Sequence, residues 1–265
     1  MPTESMGGAV NGGGGAVAFD PECHVINLAR TPQRLAAFLG HNAGSGLSFR
    51  RFEAVDGNAI SEDEAVRLKV IKPGSKWRTR GTIGVALSHR NLWEKAIADG
   101  RALIVFEDDV YIREDFNAAF RGPVSALGAW DIILLGCNTD ALVEFNLAAD
   151  FDMSGLFTVK HPSAERLAKF ARTRAPSQLY PLRHAFGISA YAVSPAGARK
   201  LIDRCFPMDN RLIEFKAANN RFNVFSLDGM MNAFYRELAA YIFLAPLALP
   251  HNDWEASTVD VRKKR

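Results

Sequence analysis

Three consecutive carboxylates, Glu107, Asp108 and Asp109, follow the apolar run at 102–106 and are the residues of this chain most suited to chemistry. A continuously apolar run is typical of a central strand covered on both faces. Three adjacent acids at the end of such a strand repel one another unless a cation or hydrogen-bond donors neutralise them. Carboxylate oxygens are hard ligands that suit Mg²⁺ and Mn²⁺, which keep positions open for substrate phosphates. The run therefore predicts a divalent-metal site.

Strand periodicity divides the triplet. In an extended chain Glu107 and Asp109 share one side, about 6.6 Å apart, and Asp108 faces the other. In α/β sheets the ligand crevice lies outside the carboxyl ends of the strands, which is where the run falls. The alternative interpretation is structural: one acid caps the next turn and the other two are solvated. The position after a buried strand favours the metal.

The elements that must hold these acids alternate along the chain. Short apolar runs predict strands, and helical spacing with capping signals predicts helices, one of them capped by Thr31 and opened by Pro32. The predicted strands are 23–28, 47–55, 102–106, 130–135, 187–193 and, as strand or extended chain, 241–249. The predicted helices are 32–40, 61–68, 82–99, 195–204 and one that starts at Asp228. This order favours an α/β fold whose mainly parallel central sheet is flanked by helices.

Composition bounds the domain organisation. Hydrophobic residues make up 48% and charged residues 23% of the 265 residues, as in globular proteins with a substantial core. We expect a glycine-rich tail over 1–20, one domain over 21–255 and a basic tail over 256–265. The segment 140–180 has poor periodicity and is expected to form an irregular excursion or lid.

Charge and cysteine content restrict partners and location. The net charge of +3 is too small to indicate nucleic acid, so no nucleic-acid partner is expected. Basic stretches at 69–80 and 166–174 could meet phosphates or an anionic membrane, or be solvated faces. Three cysteines without CxxC spacing indicate neither disulfides nor zinc.

No apolar stretch approaches the ~20 residues of a membrane span, and the N-terminus lacks a basic segment followed by an apolar core. We expect a cytoplasmic protein.

Four segments together resemble glycosyltransferase family 25 in sequence, order and spacing. They are 24–34 (HVINLARTPQR), 52–57 (FEAVDG), 81–89 (GTIGVALSH) and 106–110 (FEDDV), and 190–198 (AYAVSPAGA) resembles a later block. The family includes lipooligosaccharide sugar transferases and, in animals, collagen galactosyltransferases. The resemblance covers about residues 22–250 and implies a GT-A fold, in which an acidic strand-end motif holds a metal against the diphosphate of a nucleotide-sugar donor.

The resemblance also implies roles for the acids. Asp109 would be the first metal ligand, with Glu107 as a further candidate ligand, and Glu107 and Asp108 would contact metal-bound water or the donor ribose. A late metal ligand is expected at His251, for which an exposed loop histidine is the alternative. Transfer is expected to invert the anomeric centre, so a carboxylate must take the proton of the acceptor hydroxyl. Asp228 is the candidate, with a helix N-cap as its alternative role.

The same resemblance implies the substrates. Mn²⁺ or Mg²⁺ is the expected cofactor and a UDP-sugar, carrying a hexose or N-acetylhexosamine, the expected donor. The expected acceptor is a glycan or a lipid-linked glycan of the lipooligosaccharide type. Such an acceptor would place the protein at the periphery of the inner membrane.

Further candidates for donor binding follow the first two predicted strands. Leu28 and Arg30 lie where the first strand ends, and Arg30 or, less favourably, Arg34 could bind phosphates by bidentate hydrogen bonds. Asp56 could bind uracil or ribose, or form an ordinary Asp-Gly turn. Ser88 could reach the donor from inside the long helix.

Two histidines are also considered. His89 shares a helical stripe with apolar residues and is interpreted as a core histidine. His184 could line the acceptor side.

Two other function classes compete. A phosphotransferase of the haloacid-dehalogenase type needs an Asp nucleophile, but Glu107 stands at the first position and no threonine follows where that class has one, so we reject it. A non-catalytic module that binds nucleotide sugars with the same fold remains the alternative.

Overall fold

The predicted alternation of strands and helices is present in the computed structural model, which describes residues 21–77, 79–215 and 219–252. The strands are β1 (Glu22–Asn27), β2 (Phe49–Glu53), β3 (Leu103–Glu107), β4 (Val110–Ile112), β5 (Ile132–Leu134), β6 (Val143–Ala148), β7 (Phe151–Gly155), β8 (Gln178–Ala185), β9 (Ala190–Val193), β10 (Leu212–Phe215), β11 (Asn220–Asn223), β12 (Ala240–Leu244) and β13 (Ala248–Pro250). The helices are α1 (Pro32–His41), α2 (Glu62–Arg67), α3 (Arg80–Asp99), α4 (Phe116–Ala126), α5 (Ala164–Ala171), α6 (Pro195–Cys205) and α7 (Leu227–Asn232). The predicted tails, 1–20 and 256–265, lie outside the described residues.

Nine strands form the central sheet in the order β2-β1-β3-β9-β5-β12-β8-β6-β7. Strand β1 pairs in parallel with β2 and β3, and β5 pairs in parallel with β12, while the remaining pairs are antiparallel. Six strands therefore run in one direction, and β9, β8 and β7 run in the other. The predicted α/β fold with helices flanking a central sheet is confirmed, but the sheet is mixed: six of its nine strands share one direction, and five of its eight strand pairs are antiparallel. Two further pairs, β10 with β11 and β13 with β4, lie outside it.

Strand β3 shows why the 102–106 run had to be apolar throughout. Leu103 and Val105 join the core on one face of the sheet, together with residues of α3 and α6. Ile104 and Phe106 join the core on the other face, together with residues of α1 and α4. All four are at most 1% exposed, and each buried side chain of this kind contributes about 1.5–3 kcal/mol. The strand that carries the acids is thus fixed from both sides.

The segment 140–180 was predicted as an irregular excursion or lid, and this prediction is wrong. It contains β6, β7, α5 and the start of β8, and it extends the central sheet. The periodicity is poor because polar Glu144 and Asn146 are buried in β6. Arg236 donates to Glu144 at 2.5 Å, and Asn146 donates to the Ala149 carbonyl at 2.9 Å. Buried polar residues that are satisfied in this way hide the apolar alternation of a strand.

Two capping predictions also need correction. Pro32 does open α1, but the Thr31 hydroxyl does not cap it and instead donates to the Leu28 carbonyl at 3.1 Å. The helix predicted from Asp228 is short: α7 begins at Leu227, and a 3₁₀ turn follows at Tyr235–Glu237. Ser226, not Asp228, occupies the N-cap position.

Cys23, Cys137 and Cys205 are buried in the core and form no disulfide with one another. Within the described ranges, no helix combines the length and apolar character needed to cross a membrane.

Candidate active site

The parallel strands β1, β2 and β3 bring their carboxyl ends to one edge of the sheet. Ile26 of β1 lies opposite Glu107 of β3, and Asn27 lies opposite Glu53 of β2. Strand β9 runs the other way and begins at this same edge, where the Glu107 N–H donates to the Ser189 carbonyl at 2.7 Å. The acids therefore stand at the carboxyl edge that the sequence indicated.

The prediction of an extended chain through the whole triplet is wrong. Strand β3 ends at Glu107, and Asp108 and Asp109 form the turn that leads into β4. The 6.6 Å spacing derived for an extended chain therefore does not apply. The three acids nevertheless have different partners: Asp108 contacts Arg34 and Asn27, Glu107 lies near His89, and Asp109 accepts from the Asn252 N–H.

Asp108 is neutralised by the protein itself. Arg34 donates to its Oδ1 through Nε at 2.8 Å and through Nη2 at 2.5 Å, and the Asn27 amide donates to Oδ2 at 2.7 Å. Asn27 also donates to the Thr31 carbonyl at 3.0 Å. Arg34 was a less favoured candidate for binding the donor phosphates, and in the structure its guanidinium binds Asp108 instead. Asp108 therefore links β1 and α1 to this turn through hydrogen bonds. Its contact with metal-bound water or the donor ribose stays a prediction.

Asp109 lacks such neutralisation. Its Oδ1 is enclosed and has no hydrogen-bond partner among the described residues. Its Oδ2 accepts only from the Asn252 N–H, at 3.3 Å, within that same part of the chain. Burial, and then the charge of Glu107, raise the pKa of Asp109 to about 7. A buried carboxylate oxygen without a donor, beside a second carboxylate, fits a divalent cation as its partner.

His251 lies beside Asp109 through the backbone. Pro250 of β13 pairs with Val110 of β4, so the next residue, His251, can donate its N–H to the Asp109 carbonyl at 2.9 Å. Its ring packs edge-on against Tyr111, with 6.2 Å between centroids. In the part of the chain that the structure describes, no three His, Cys, Asp or Glu side chains are grouped to hold a metal ion. Metal ligation by His251 stays a prediction.

Glu107 contacts a residue that sequence analysis assigned to the core. Its side chain is 34% exposed, and its Oε1 lies 3.4 Å from His89 Nε2. His89 is indeed buried, at 1% exposed, so the interpretation as a core histidine is confirmed. Helical spacing gave no signal for its contact with Glu107, because the partner lies on a strand 18 residues away.

Arg30 and Asp56 form an exposed ion pair at the ends of β1 and β2. Arg30 Nε donates to Asp56 Oδ2 at 2.8 Å, and this contact holds the pKa of Asp56 below its usual range. Asp56 also accepts from the Asn58 N–H at 3.1 Å and opens the 3₁₀ turn Gly57–Ala59, so the turn interpretation is present in the structure. Arg30 and Asp56 therefore both lie at the carboxyl edge of the sheet, where they bind each other.

Ser88 and Leu28 have structural contacts. The Ser88 hydroxyl accepts from the Val55 N–H at 2.9 Å and donates to the Gly84 carbonyl at 2.7 Å. A Cβ on Gly84 would lie 2.5 Å from the Val55 carbonyl, so only glycine allows α3 to approach this loop so closely. The Leu28 carbonyl accepts from the Thr31 N–H at 2.9 Å. Donor contacts of Ser88 and Leu28 stay predictions.

Asp228 is held on the other side of the loop that leads to β9. Its Oδ2 accepts from the Gly187 N–H at 3.0 Å, and its Oδ1 accepts from the Gly229 N–H at 2.9 Å and from the Ser226 hydroxyl. Gly187 has φ +87°, and a Cβ there would meet Asn138 at 2.1 Å. The loop 187–189 thus contacts Asp228 at one end and Glu107 at the other.

A cavity of about 460 Å³ opens one helical turn beyond Asp228, around Asn232 of α7. Besides apolar residues it is lined by five polar side chains: Asp152, His184, Glu214, Asn232 and Arg236. His184 is 7% exposed, and its Nδ1 has no hydrogen-bond partner in the described ranges. The structure thereby places His184 at a cavity wall close to α7.

This arrangement, an α/β sheet flanked by helices with its polar residues at the carboxyl edge, is the Rossmann-like organisation common among nucleotide-binding enzymes. The family model of glycosyltransferase family 25 (LPS biosynthesis protein) matches residues 20–212. The chain belongs to this family.

Curated relatives include proteins named as inactive and proteins named as enzymes. The chain is 30% identical over 213 residues to the rat protein named "Probable inactive glycosyltransferase 25 family member 3", covering 74% of this chain and 33% of the relative. It is 34% identical over 132 residues to the human "Inactive glycosyltransferase 25 family member 3", covering 45% of this chain and 22% of the relative. It is 29% identical over 133 residues to the zebrafish protein named "Procollagen galactosyltransferase 1", covering 45% of this chain and 22% of the relative. The chain thus spans about a third of these relatives' length or less.

Proposed function

We propose that this chain is a metal-dependent glycosyltransferase with a GT-A fold that moves a sugar from a UDP-sugar donor to a glycan or lipid-linked glycan, with inversion. The observation that carries the proposal is Asp109, whose buried Oδ1 has no donor among the described residues and whose pKa is raised to about 7. Membership of glycosyltransferase family 25 supports the reaction class.

Asp109 would hold Mn²⁺ or Mg²⁺ through Oδ1, with Glu107 as the second carboxylate and His251 beside them. When bound, such an ion acts as a Lewis acid and stabilises the diphosphate that leaves as the anomeric bond breaks. Arg34 and Asn27 keep Asp108 in place, so the turn that carries Asp109 is fixed before a donor arrives.

The donor phosphates would be met by Arg30. Its side chain is 46% exposed and that of its partner Asp56 is 36% exposed, and exposed pairs of this kind contribute at most about 1 kcal/mol. Arg30 can therefore exchange Asp56 for a phosphate at little cost. Asp56, once released, is free to accept a hydrogen bond from the ribose or the base.

Asp228 would take the proton of the acceptor hydroxyl. Its three donors orient the carboxylate, and Oδ2, which accepts one of the three hydrogen bonds, retains a lone pair that can accept a proton. We infer that the acceptor enters by the cavity next to α7, because 460 Å³ accommodates a sugar unit and the lining offers polar groups for its hydroxyls.

We also propose that the protein is cytoplasmic and binds peripherally to an anionic membrane. Arg166, Lys169, Arg172 and Arg174 are exposed on and after α5, where they could contact acidic lipids. On the other basic stretch, Lys72 is paired with Asp209 at 2.7 Å.

A non-catalytic module that binds nucleotide sugars is the second candidate, favoured by the relatives whose names describe them as inactive. Both candidates require donor binding at the carboxyl edge, and only the enzyme requires Asp228.

Hydrolysis of the donor by water separates the two. Purified protein with Mn²⁺ is incubated with UDP-glucose, UDP-galactose and their N-acetylhexosamine counterparts, and released UDP is measured for the wild type, Asp228→Asn and the control Asp203→Asn. Asp203 is exposed on α6. We expect the wild type to release UDP from at least one donor. Asp228→Asn should lower the rate of UDP release by at least about 100-fold, and Asp203→Asn should leave it unchanged. Binding of UDP without release from any donor would instead establish the non-catalytic module, and no binding at all would overturn both candidates.

A further inference from the structure

A buried series of hydrogen-bonding side chains ends on Glu107. Trp93 Nε1 lies 2.9 Å from the Tyr191 hydroxyl, that hydroxyl lies 2.8 Å from His89 Nδ1, and His89 Nε2 lies 3.4 Å from Glu107 Oε1. Trp93 and Tyr191 are 0% exposed and His89 is 1% exposed. The proposed chemistry uses none of these three residues.

The direction of each hydrogen bond follows from what the groups can donate. Indole Nε1 only donates, so the Tyr191 oxygen is the acceptor from Trp93. Burial raises the pKa of Tyr191, so its hydroxyl keeps its proton, and His89 Nδ1 is the acceptor within reach. A neutral imidazole that accepts at Nδ1 carries its proton on Nε2 and donates it to Glu107. In this arrangement each of the three side chains donates once along the series.

We propose that Trp93, Tyr191 and His89 form a positioning relay that holds one oxygen of Glu107 and directs the other toward the cation and donor. The relay rests on the proposed function in one respect, the role of Glu107 at the metal.

The geometry explains why Glu107 needs such support. Its side chain is one-third exposed at the end of β3 and has three rotatable bonds, so without a partner it would sample several rotamers. His89 and Trp93 stand one turn apart on α3, and Tyr191 of β9 pairs with Val105 of β3, two residues before Glu107. The relay residues thus lie on a helix that shares a core face with β3 and on a strand that pairs with β3.

A purely structural role for Tyr191, satisfying the buried Trp93 and His89 without consequence for Glu107, is the competing explanation. Tyr235 provides a matched control, because it is also 0% exposed but its hydroxyl has no hydrogen-bond partner among the described residues. Tyr191→Phe and Tyr235→Phe remove the same atom from equally buried rings, and only the first interrupts the series.

The first readout is nitrogen NMR of the His89 imidazole in the metal-free protein. We expect the Nε2–H tautomer in all three proteins, because Nε2 donates to Glu107 in each, and a changed resonance of the unprotonated Nδ1 in Tyr191→Phe alone, where Nδ1 loses its donor. The second readout is Mn²⁺ affinity. Residues that orient metal ligands typically change affinity by about 10–100-fold, so we expect about tenfold weaker binding in Tyr191→Phe and less than about twofold change in Tyr235→Phe.

If Tyr191→Phe does not fold, two substitutions of His89 test the relay instead: His89→Gln and His89→Leu. A glutamine amide can accept from Tyr191 and donate to Glu107, so His89→Gln should retain Mn²⁺ affinity within about threefold, whereas His89→Leu should lose about tenfold. The relay is overturned if wild-type His89 is the Nδ1–H tautomer, or if each altered protein binds Mn²⁺ as the wild type does. If the wild type binds no Mn²⁺, the proposed function fails, and the tautomer measurement still decides the hydrogen-bond directions.

Discussion

Asp109→Asn tests the raised pKa at the centre of the site. The shift from 3.8 to about 7 means that the folded protein holds a proton that the unfolded chain has released. At about 1.36 kcal/mol per pKa unit, the roughly three units amount to about 4 kcal/mol. Because the folded-state pKa is the higher one, this contribution is fully present below pH ~4 and is lost as the pH rises through about 7.

Urea denaturation of the metal-free protein between pH ~5 and pH ~8 measures the effect. The roughly two pH units from ~5 to ~7 predict that the wild type loses about 2–3 kcal/mol of unfolding free energy. An asparagine amide does not titrate, so this part of the pH dependence should disappear in Asp109→Asn and persist in the control Asp203→Asn. At pH ~8, Mn²⁺ at about 100 times its dissociation constant should restore about 2.7 kcal/mol to the wild type. Parallel pH profiles for the wild type and Asp109→Asn would refute the reasoning.

Three further changes have outcomes that follow from the contacts. Arg34→Ala leaves Asp108, whose side chain is only 10% exposed, without its cation, and urea denaturation should show a loss of about 2–4 kcal/mol of unfolding free energy; an unchanged midpoint would contradict a stabilising role of the Arg34–Asp108 ion pair. Gly84→Ala places a Cβ 2.5 Å from a backbone carbonyl and should lower stability by about 2 kcal/mol or more, whereas Gly40→Ala in α1 meets no atom within 4 Å and should raise it by about 0.5 kcal/mol. Arg30→Ala should change stability by less than about 1 kcal/mol but weaken UDP binding in calorimetry, and equal UDP affinity would remove Arg30 from the donor site.

Much of the sheet could be predicted from the sequence because strand and helix signals were local. The predicted strand at 102–106 became β3 at Leu103–Glu107, and the predicted helix at 82–99 became α3 at Arg80–Asp99. The run predicted at 241–249 divides into β12 and β13, and it is β13 that brings His251 beside Asp109. The pairing of β13 with β4 joins residues that are far apart in sequence, so no local sequence pattern could predict it.

The site was predictable in position and less so in detail. Residue types placed the acids at the carboxyl edge, but the turn at Asp108 depends on Arg34 and Asn27, which act through tertiary contacts. His89 showed the same difficulty, because a helical stripe describes which face is buried and not what that face touches across the sheet. Asp228 was predicted as a candidate base, but its contact with Gly187 depends on a loop whose course the sequence did not reveal.

Isothermal titration of the wild type with UDP, in Mn²⁺ and then in excess chelator, tests the central claim most directly. A cation held by Asp109 and Glu107 would bridge the protein to the diphosphate, so UDP should bind at least about tenfold more tightly with Mn²⁺. Asp109→Asn should abolish this difference, while Asp203→Asn should keep it. The same UDP affinity with and without Mn²⁺ would contradict the assignment of Asp109 as the centre of a metal-dependent donor site.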